Sequence, residues 1–387
     1  MSWFLCGWEF NFEPVIAFKY FFTFIILIHG LIHLIGFAKA FQFGSIEQLT
    51  KEISRPVGLL WLLVMVLFIF TLIAFMMNNT LWPTVAFVAV LLSQILIILV
   101  WKDAKFGTIA NILILLVALP TYANFQFATM AQRESITLLS GVQRKSTVVK
   151  PEEISHLPSI IQTWLNKSGT VGKEKAYSAR IQQSGRMRTT PDGKWMDFTA
   201  QQYYAFEHPG FVWTTRVNMM PLVYMDGRDK FESGKGHMLI KLLSLIPVVH
   251  EEENEKINTG TMLRYLGELC WFPSAALSPY ITWKEIDSTS VSATMTFENT
   301  RVTGNFRFTQ AGDMVSFEAE RYYGGGEDAR LEKWCVVIDD YKTFDGIRVP
   351  YKSSVVWKLK EDDFTWLTLE ITHLEVNQAE LYKHTTQ

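Results

Sequence analysis

The apolar positions of this chain follow two regimes. Over the first 126 residues they form long runs that polar residues barely interrupt, and beyond Ala176 they recur at every second position. A bilayer core needs about 20 mostly apolar residues as helix, and four runs meet that length, at about 14–37, 57–77, 82–101 and 106–125. Ser54 and Pro56 suit a helix start before the second run. Trp82 and Trp101 bracket the third, where indoles favour the membrane interface. The fourth, FGTIANILILLVALPTYANF, carries Asn111 and Pro120, which neighbouring helices can satisfy.

The second regime begins after a segment at 127–156, helical over its first part, and a short helix in KPEEISHLPSIIQTWLNKSG with Ile154, Leu157, Ile161 and Leu165 as its apolar stripe. AYSARIQQSGRMRT and WMDFTAQQYYAFEH alternate on either side of the turn PDGK, a hairpin pattern. Nine further extended runs follow, among them FVWTTRVNMM, LVYMDGRDKF, GHMLIKLLSLIPVV and TWLTLEITHLEV. About eleven strands with short connections predict one antiparallel sheet, buried on one face. One stretch departs from this rhythm. In NTGTMLRYLGELCWFPSAAL, Met262, Leu263, Leu266, Leu269 and Cys270 keep helical spacing, Asn258 or Thr259 can cap, and Pro273 ends the turn. The fold class expected is membrane plus α+β: a four-helix transmembrane region over 1–126, then a curled antiparallel half-barrel over 157–387 around an inner helix. Such a curl leaves room for an apolar space between sheet and helix.

Charge sharpens the division. Residues 1–126 contain 6 Lys+Arg and 5 Asp+Glu, out of 36 and 38 in the whole chain. The net charge of −2 offers no basic face for nucleic acid. Lys39, Lys51 and Arg55 follow the first run, Lys102 and Lys105 the third, and the loop NNT after the second has no basic residue. Basic short loops face the cytoplasm, so with four spans both termini and the C-terminal domain lie outside it. Loss of the fourth span would place that domain in the cytoplasm. The first run is too long for a cleavable signal and lacks a basic leader.

Candidate chemistry is sparse. His29 and His33 share one helix face inside the first run. A haem or metal would need further ligands that the other runs lack, so helix–helix hydrogen bonding is the favoured reading, with Asp103 as a partner for His33 and Asn111 as a further contact. Gly30 and Gly36 allow close helix approach. Cys6, Cys270 and Cys335 have no metal spacing, and a Cys270–Cys335 pair is the lesser alternative to free thiols. His156, His208, His237, His250, His373 and His384 are scattered. No metal and no cofactor are expected. Arg264 and Glu268, four apart on the inner helix, read either as an ion pair that locks the helix or as a charged pair facing a ligand headgroup. Asp226 and Asp229 lack any nucleophile motif nearby. RYYGGGEDARLEKW reads as a glycine loop, either plain or as a rim over a pocket.

GKWMDFTAQQYYAFEHPGFVW and GTMLRYLGELCWFPSAAL, with Trp283 and GIRVPYKSSVVWKL, resemble an uncharacterised bacterial family that carries a domain of unknown function, with both soluble and membrane-bound members. The resemblance spans about 157–359, and HGLIHLIGF is similar to the membrane-bound members. It implies a fold but no activity or cofactor. The strand pattern with an inner helix is similar to the curled sheets of the LolA-like lipoprotein carriers, a likeness of fold that does not establish function.

Three readings follow. The first is a membrane-anchored module that binds a lipid or other hydrophobic ligand against Trp213, Met219, Met220, Arg264, Tyr265, Glu268, Trp271 and Phe272, with the bilayer as its other partner. The second is a hydrolase-like enzyme using Glu268 with Arg264, or Asp226. The third is a structural or sensory interaction domain without a ligand.

Overall fold

The computed structural model describes residues 12–382, so Cys6 and His384 lie outside the described residues. The chain divides into two units after Ala128, and the second runs Thr129–Tyr382.

The first unit is helical, with α1 (Phe12–Ala40), α2 (Arg55–Met76), α3 (Trp82–Leu99), the single turn α4 (Trp101–Ala104) and the start of α5 (Gly107–Ser140). Four of these helices are long and apolar enough to cross a membrane, by length and composition. Pro120 lies inside α5 without ending it. Glycine sets the closeness of α1 and α2. A Cβ on Gly36 would stand 2.1 Å from the Trp61 ring, and one on Gly58 2.3 Å from Ala40 Cβ. Side chains such as Leu63, Val66 and Phe70 point outward from α2 and are exposed.

The second unit opens with the last turns of α5, then α6 (Pro151–Ile154) and α7 (Ser159–Lys167). The single helix expected across this stretch is two, because Pro158 cannot donate to a continuing ladder and becomes the N-cap of α7. Ile154, Ile161 and Leu165 are buried, with Leu157 partly so.

The sheet has thirteen strands: β1 (Ser178–Met187), β2 (Met196–Ala205), β3 (Gly210–Met220), β4 (Val223–Glu232), β5 (Lys235–Leu242), β6 (Ile246–Glu252), β7 (Ile281–Asp287), β8 (Ser290–Phe297), β9 (Thr300–Phe308), β10 (Met314–Tyr323), β11 (Arg330–Phe344), β12 (Ile347–Lys358) and β13 (Asp363–Val376). Their order is β6-β5-β4-β3-β2-β1-β13-β12-β11-β10-β9-β8-β7, and every pair is antiparallel. Two strands exceed the eleven expected. The run GHMLIKLLSLIPVV hides a turn, where Leu243 and Ser244 take φ of +52° and +58° without the glycine or asparagine that usually marks such a bend. Strand β7, at the sheet edge, is mostly exposed and charged, so it lacks the alternation of a half-buried strand.

Helix α8 (Glu255–Glu268) connects β6 to β7. It starts one turn earlier than its apolar spacing suggests, because Asn254 is the N-cap and its side chain accepts from Ile257 N at 3.0 Å. Asn258 and Thr259, the two expected caps, lie inside the helix, and Asn258 accepts from Gly236 N at 2.7 Å. The helix touches β4 and β5 from one half of the sheet and β8, β9 and β10 from the other. One helix can reach both only because the open sheet bends around it. The glycines at these contacts leave no slack: a Cβ on Gly236 would stand 2.5 Å from the Ile257 carbonyl, and one on Gly267 2.9 Å from the Phe317 ring.

Candidate functional site

The inner face of the sheet is selected by strand alternation. Gln202 and Tyr204 on β2, Trp213 and Phe211 on β3, and Asp229 and Phe231 on β4 stand opposite one another in register. Arg264 of α8 reaches into them. Its Nε donates to Glu268 Oε1 at 2.7 Å, one Nη to Asp229 Oδ2 at 2.8 Å and the other to Gln202 Oε1 at 3.1 Å. The guanidinium lies 4.5 Å from the centre of the Trp213 ring and 5.0 Å from that of Phe211. Glu268 also accepts from Gln202 Nε2 at 2.8 Å and from the Tyr204 hydroxyl at 2.9 Å. Asp229 Oδ1 is buried without a hydrogen-bond partner.

A second arginine faces this cluster from the opposite half of the sheet. Arg321 of β10 crosses over Gly260 of α8, where a Cβ would stand 3.3 Å from Arg321 Nε. Its guanidinium lies 4.8 Å from the Trp334 ring centre. Burial pulls Arg321 down to about 10, with Asp229 and Glu268 opposing the fall and Arg264 adding to it. For Arg264, burial works in the same direction, but the carboxylates of Glu268 and Asp229 outweigh it and hold the group above the ordinary arginine value. Burial and then the nearby Glu268 charge push the Tyr204 phenol well up, so it remains a donor. The same two causes push up the Cys270 thiol, which suppresses its nucleophilicity.

The residues anticipated from sequence separate into three groups. Arg264, Glu268 and Trp213 come together in this cluster. Tyr265, Trp271 and Phe272 belong to the packed core, each at most 4% exposed. Tyr265 donates toward Ala205 O at 3.3 Å, and Phe272 lies 4.7 Å from the Tyr204 ring centre. Met219 and Met220 lie apart, exposed at the end of β3. Asp226 and Asp229 point to opposite faces, since they are three apart on one strand. Asp226 is gripped by Arg216 through two bonds of 2.8 Å and by the Ser244 hydroxyl, so the two do not form a carboxylate pair. Cys270 and Cys335 are both free and buried, not paired. The glycine loop is tied to α8 where Lys256 Nζ donates to Gly326 O at 2.7 Å. Gln202, Tyr204, Arg321 and Trp334 were missed. Their signal is parity: each shares the inner face with apolar neighbours on its own strand.

In the helical unit His29 and His33 are buried. His33 Nδ1 donates to His29 O at 2.8 Å, so its Nε2 accepts from Ser93 Oγ at 3.0 Å. His29 Nε2 lies 2.8 Å from Asn111 Oδ1, and Asn111 Nδ2 donates to Gln94 Oε1 at 3.0 Å. The bond expected between His33 and Asp103 is not formed. Both nitrogens of His33 are occupied, and Asp103, half-exposed in α4, accepts from Thr50 N at 2.8 Å and from its hydroxyl. Among the described residues no group of three or more His, Cys, Asp or Glu could hold a metal ion.

Two cavities lie away from the cluster. One of about 300 Å³ is lined by Glu153, His156, Lys175, Leu277 and Trp283. The other, of about 130 Å³, lies between the end of α5 and the β2–β3 turn, beside Leu138 and His208.

A family model for a family of unknown function, DUF6544, matches residues 147–369, more than half of the chain. The chain belongs to the DUF6544 family. The match takes in β1 to β12 and α8, and with them the whole charged cluster of this DUF6544 protein. No curated protein matches it. Among solved structures it is similar to a LolA superfamily protein from Nitrosomonas europaea, with 10% identity, 57% of this chain and 93% of that chain covered, and a TM-score of 0.33. It is also similar to a putative outer membrane lipoprotein-sorting protein domain from Vibrio parahaemolyticus, at 7% identity, 52% and 85% coverage and a TM-score of 0.33. A DUF1329 family protein from Desulfovibrio piger gives 8% identity, 64% and 93% coverage and a TM-score of 0.31.

Proposed function

We propose that this DUF6544 protein is a membrane-anchored module whose sheet, as a half-barrel around α8, binds a lipid or other hydrophobic ligand on its inner face. The observation that carries the reading is the composition of that face. Aromatic, aliphatic and methionine side chains surround one cluster of charges, and within it Arg321 has a ring partner while Arg264 is fully engaged by carboxylates and an amide. An apolar lining with a few convergent polar groups is the usual form of a small-molecule site. The four apolar helices supply the anchor, and the basic loops 39–55 and 102–105 argue for a domain outside the cytoplasm. Shared hydrogen bonds of His29, His33, Ser93 and Asn111 hold the helices together in this reading.

Native mass spectrometry of the full chain released from gentle detergent tests it. A stoichiometric apolar species, lost on Arg321→Met or on Trp213→Ala, is the expected outcome. A chain that neither carries nor takes up lipid under any loading condition refutes it. A second reading, an interaction domain without a ligand, draws on Tyr265, Trp271 and Phe272, which already fill the space beside α8. Binding would then require these rings to repack, and a chain that stays empty favours this second reading.

A further inference from the structure

Within the second unit, six exposed apolar side chains gather at one end of the sheet. Met219, Met220 and Leu222 at the β3–β4 turn are 41%, 62% and 69% exposed, and Leu245, Ile246 and Val248 at the β5–β6 turn 42%, 55% and 58%. The two turns are neighbours, since Leu243 N donates to Tyr224 O at 2.9 Å. Residues 217–225 and 242–249 contain no charge. Their backbone does not require these side chains. Leu222 follows Pro221 and takes φ of +66°, a turn position that favours glycine or asparagine. Large apolar residues at solvent-exposed tips therefore have no folding role and mark a contact surface.

Three observations name the partner as the surface of a lipid bilayer. First, the chain enters this unit from that end. Gly141 and Val142 lie beside Glu207, Pro209 and Ser233, at the opposite turns. Leu138 abuts Gly210, and Glu134 pairs with Arg228 at 3.1 Å. Stepping back along α5 to Thr129 thus leads from the far turns toward the apolar tips. Second, the β1–β2 turn at the same end presents Trp195, 36% exposed, with the Arg186 and Arg188 guanidinia 5.7 and 4.8 Å from its ring centre. Tryptophan beside basic residues is the composition of a membrane interface. Third, β6 is an edge strand carrying Pro247 amid its exposed face, which disfavours strand addition by a second copy.

We infer that the β3–β4 and β5–β6 turns dock into the interfacial region of the bilayer, resting the open end of the sheet on lipid. This rests on the anchoring proposed above but not on the inner-face ligand. The test uses the full chain with Cys6→Ser, reconstituted in phosphatidylcholine–phosphatidylglycerol vesicles and labelled with an environment-sensitive fluorophore at one introduced cysteine. Met220→Cys and Ile246→Cys report the tips, His208→Cys the opposite end, and Leu63→Cys on α2 the insertion itself. Expected are a blue shift and several-fold stronger quenching by headgroup-proximal spin-labelled lipid at 220 and 246 than at 208. Lipid quenching at 63 with tips as open to aqueous iodide as position 208 overturns the docking alone. No lipid quenching at 63 removes the anchor and the docking together. Protection of the tips that depends on protein concentration, without lipid quenching, assigns the surface to a second copy and overturns the proposal.

Discussion

Replacing Arg264 by methionine removes the centre of the inner-face cluster while keeping most of the side-chain volume over Trp213 and Phe211. The consequences for its two carboxylates differ. Glu268 keeps the Gln202 amide at 2.8 Å and the Tyr204 hydroxyl at 2.9 Å. Asp229 has a side chain 3% exposed and an Oδ1 already without a partner, so it loses the contact that balances its charge. Breaking a buried ion pair by removing one member costs about 3–5 kcal/mol, because the other charge is stranded. At 1.4 kcal/mol per tenfold, the opening equilibrium of the sheet unit should rise by about two to three and a half orders of magnitude. The buried Cys270 thiol reports that opening specifically, since it lies in the core of this unit. Its labelling by a soluble maleimide, in a Cys6→Ser, Cys335→Ser chain, gives the equilibrium directly. Arg264→Met combined with Asp229→Asn should recover much of the loss, since Asp229 then carries no stranded charge while Glu268 keeps its amide and hydroxyl donors and still balances Arg321. A single variant that opens less than tenfold more often, or a double variant no better than the single, refutes the electrostatic account.

Burial of Asp313 alone would raise its carboxyl, but the hydrogen bonds and charges of Lys167 and Arg348 outweigh it and hold the group below the ordinary range. A depressed folded value stabilises above the unfolded one, near 4, and that contribution disappears as pH falls through the folded value, so Asp313→Asn should flatten the acid limb of a stability–pH profile measured by urea unfolding followed through tryptophan fluorescence. Gly236→Ala should cost about 1–3 kcal/mol, since its Cβ would meet the Ile257 carbonyl and push α8 off β5; a neutral melting temperature would contradict that packing. Ser93→Ala takes the donor from His33 Nε2 and should weaken the helical unit by about 0.6–2 kcal/mol, read as faster unfolding in dodecyl maltoside, whereas Asp103→Asn should leave His33 undisturbed.

Much of the fold was legible because burial imposes periodicity. Strands β1 to β4 and β8 to β13 each have one buried face, and their alternation shows in the residue order. The apolar helices are long enough to stand out by length alone. What escaped was what alternation does not encode. The β5–β6 turn is built from Leu243 and Ser244 in a conformation that composition does not signal. Edge strand β7 buries too little to alternate, and the cap of α8 lies among the charged residues EENEK. The site was half legible for the same reason. Arg264 and Glu268 are neighbours on one helix, so spacing joins them. Asp229, Gln202 and Arg321 reach them across the sheet, and only the strand order makes those distances short.

That strand order also determines how the sheet must be assembled. Strands β1 to β6 and β7 to β13 are two meanders in which each strand pairs with its successor, and they share a single seam, β1 against β13. The seam joins residues such as Arg180 and Glu375, which are 195 apart in the chain. During synthesis the first meander and α8 can form as they emerge, but β1 waits with an open edge until the last strand leaves the ribosome. Closing so long a loop is slow, and an unpaired strand edge invites association with other chains meanwhile. Strand β13 thus acts as the zipper's last tooth, and a ribosome that stalls before Asp363 releases a chain with two halves and no joint between them.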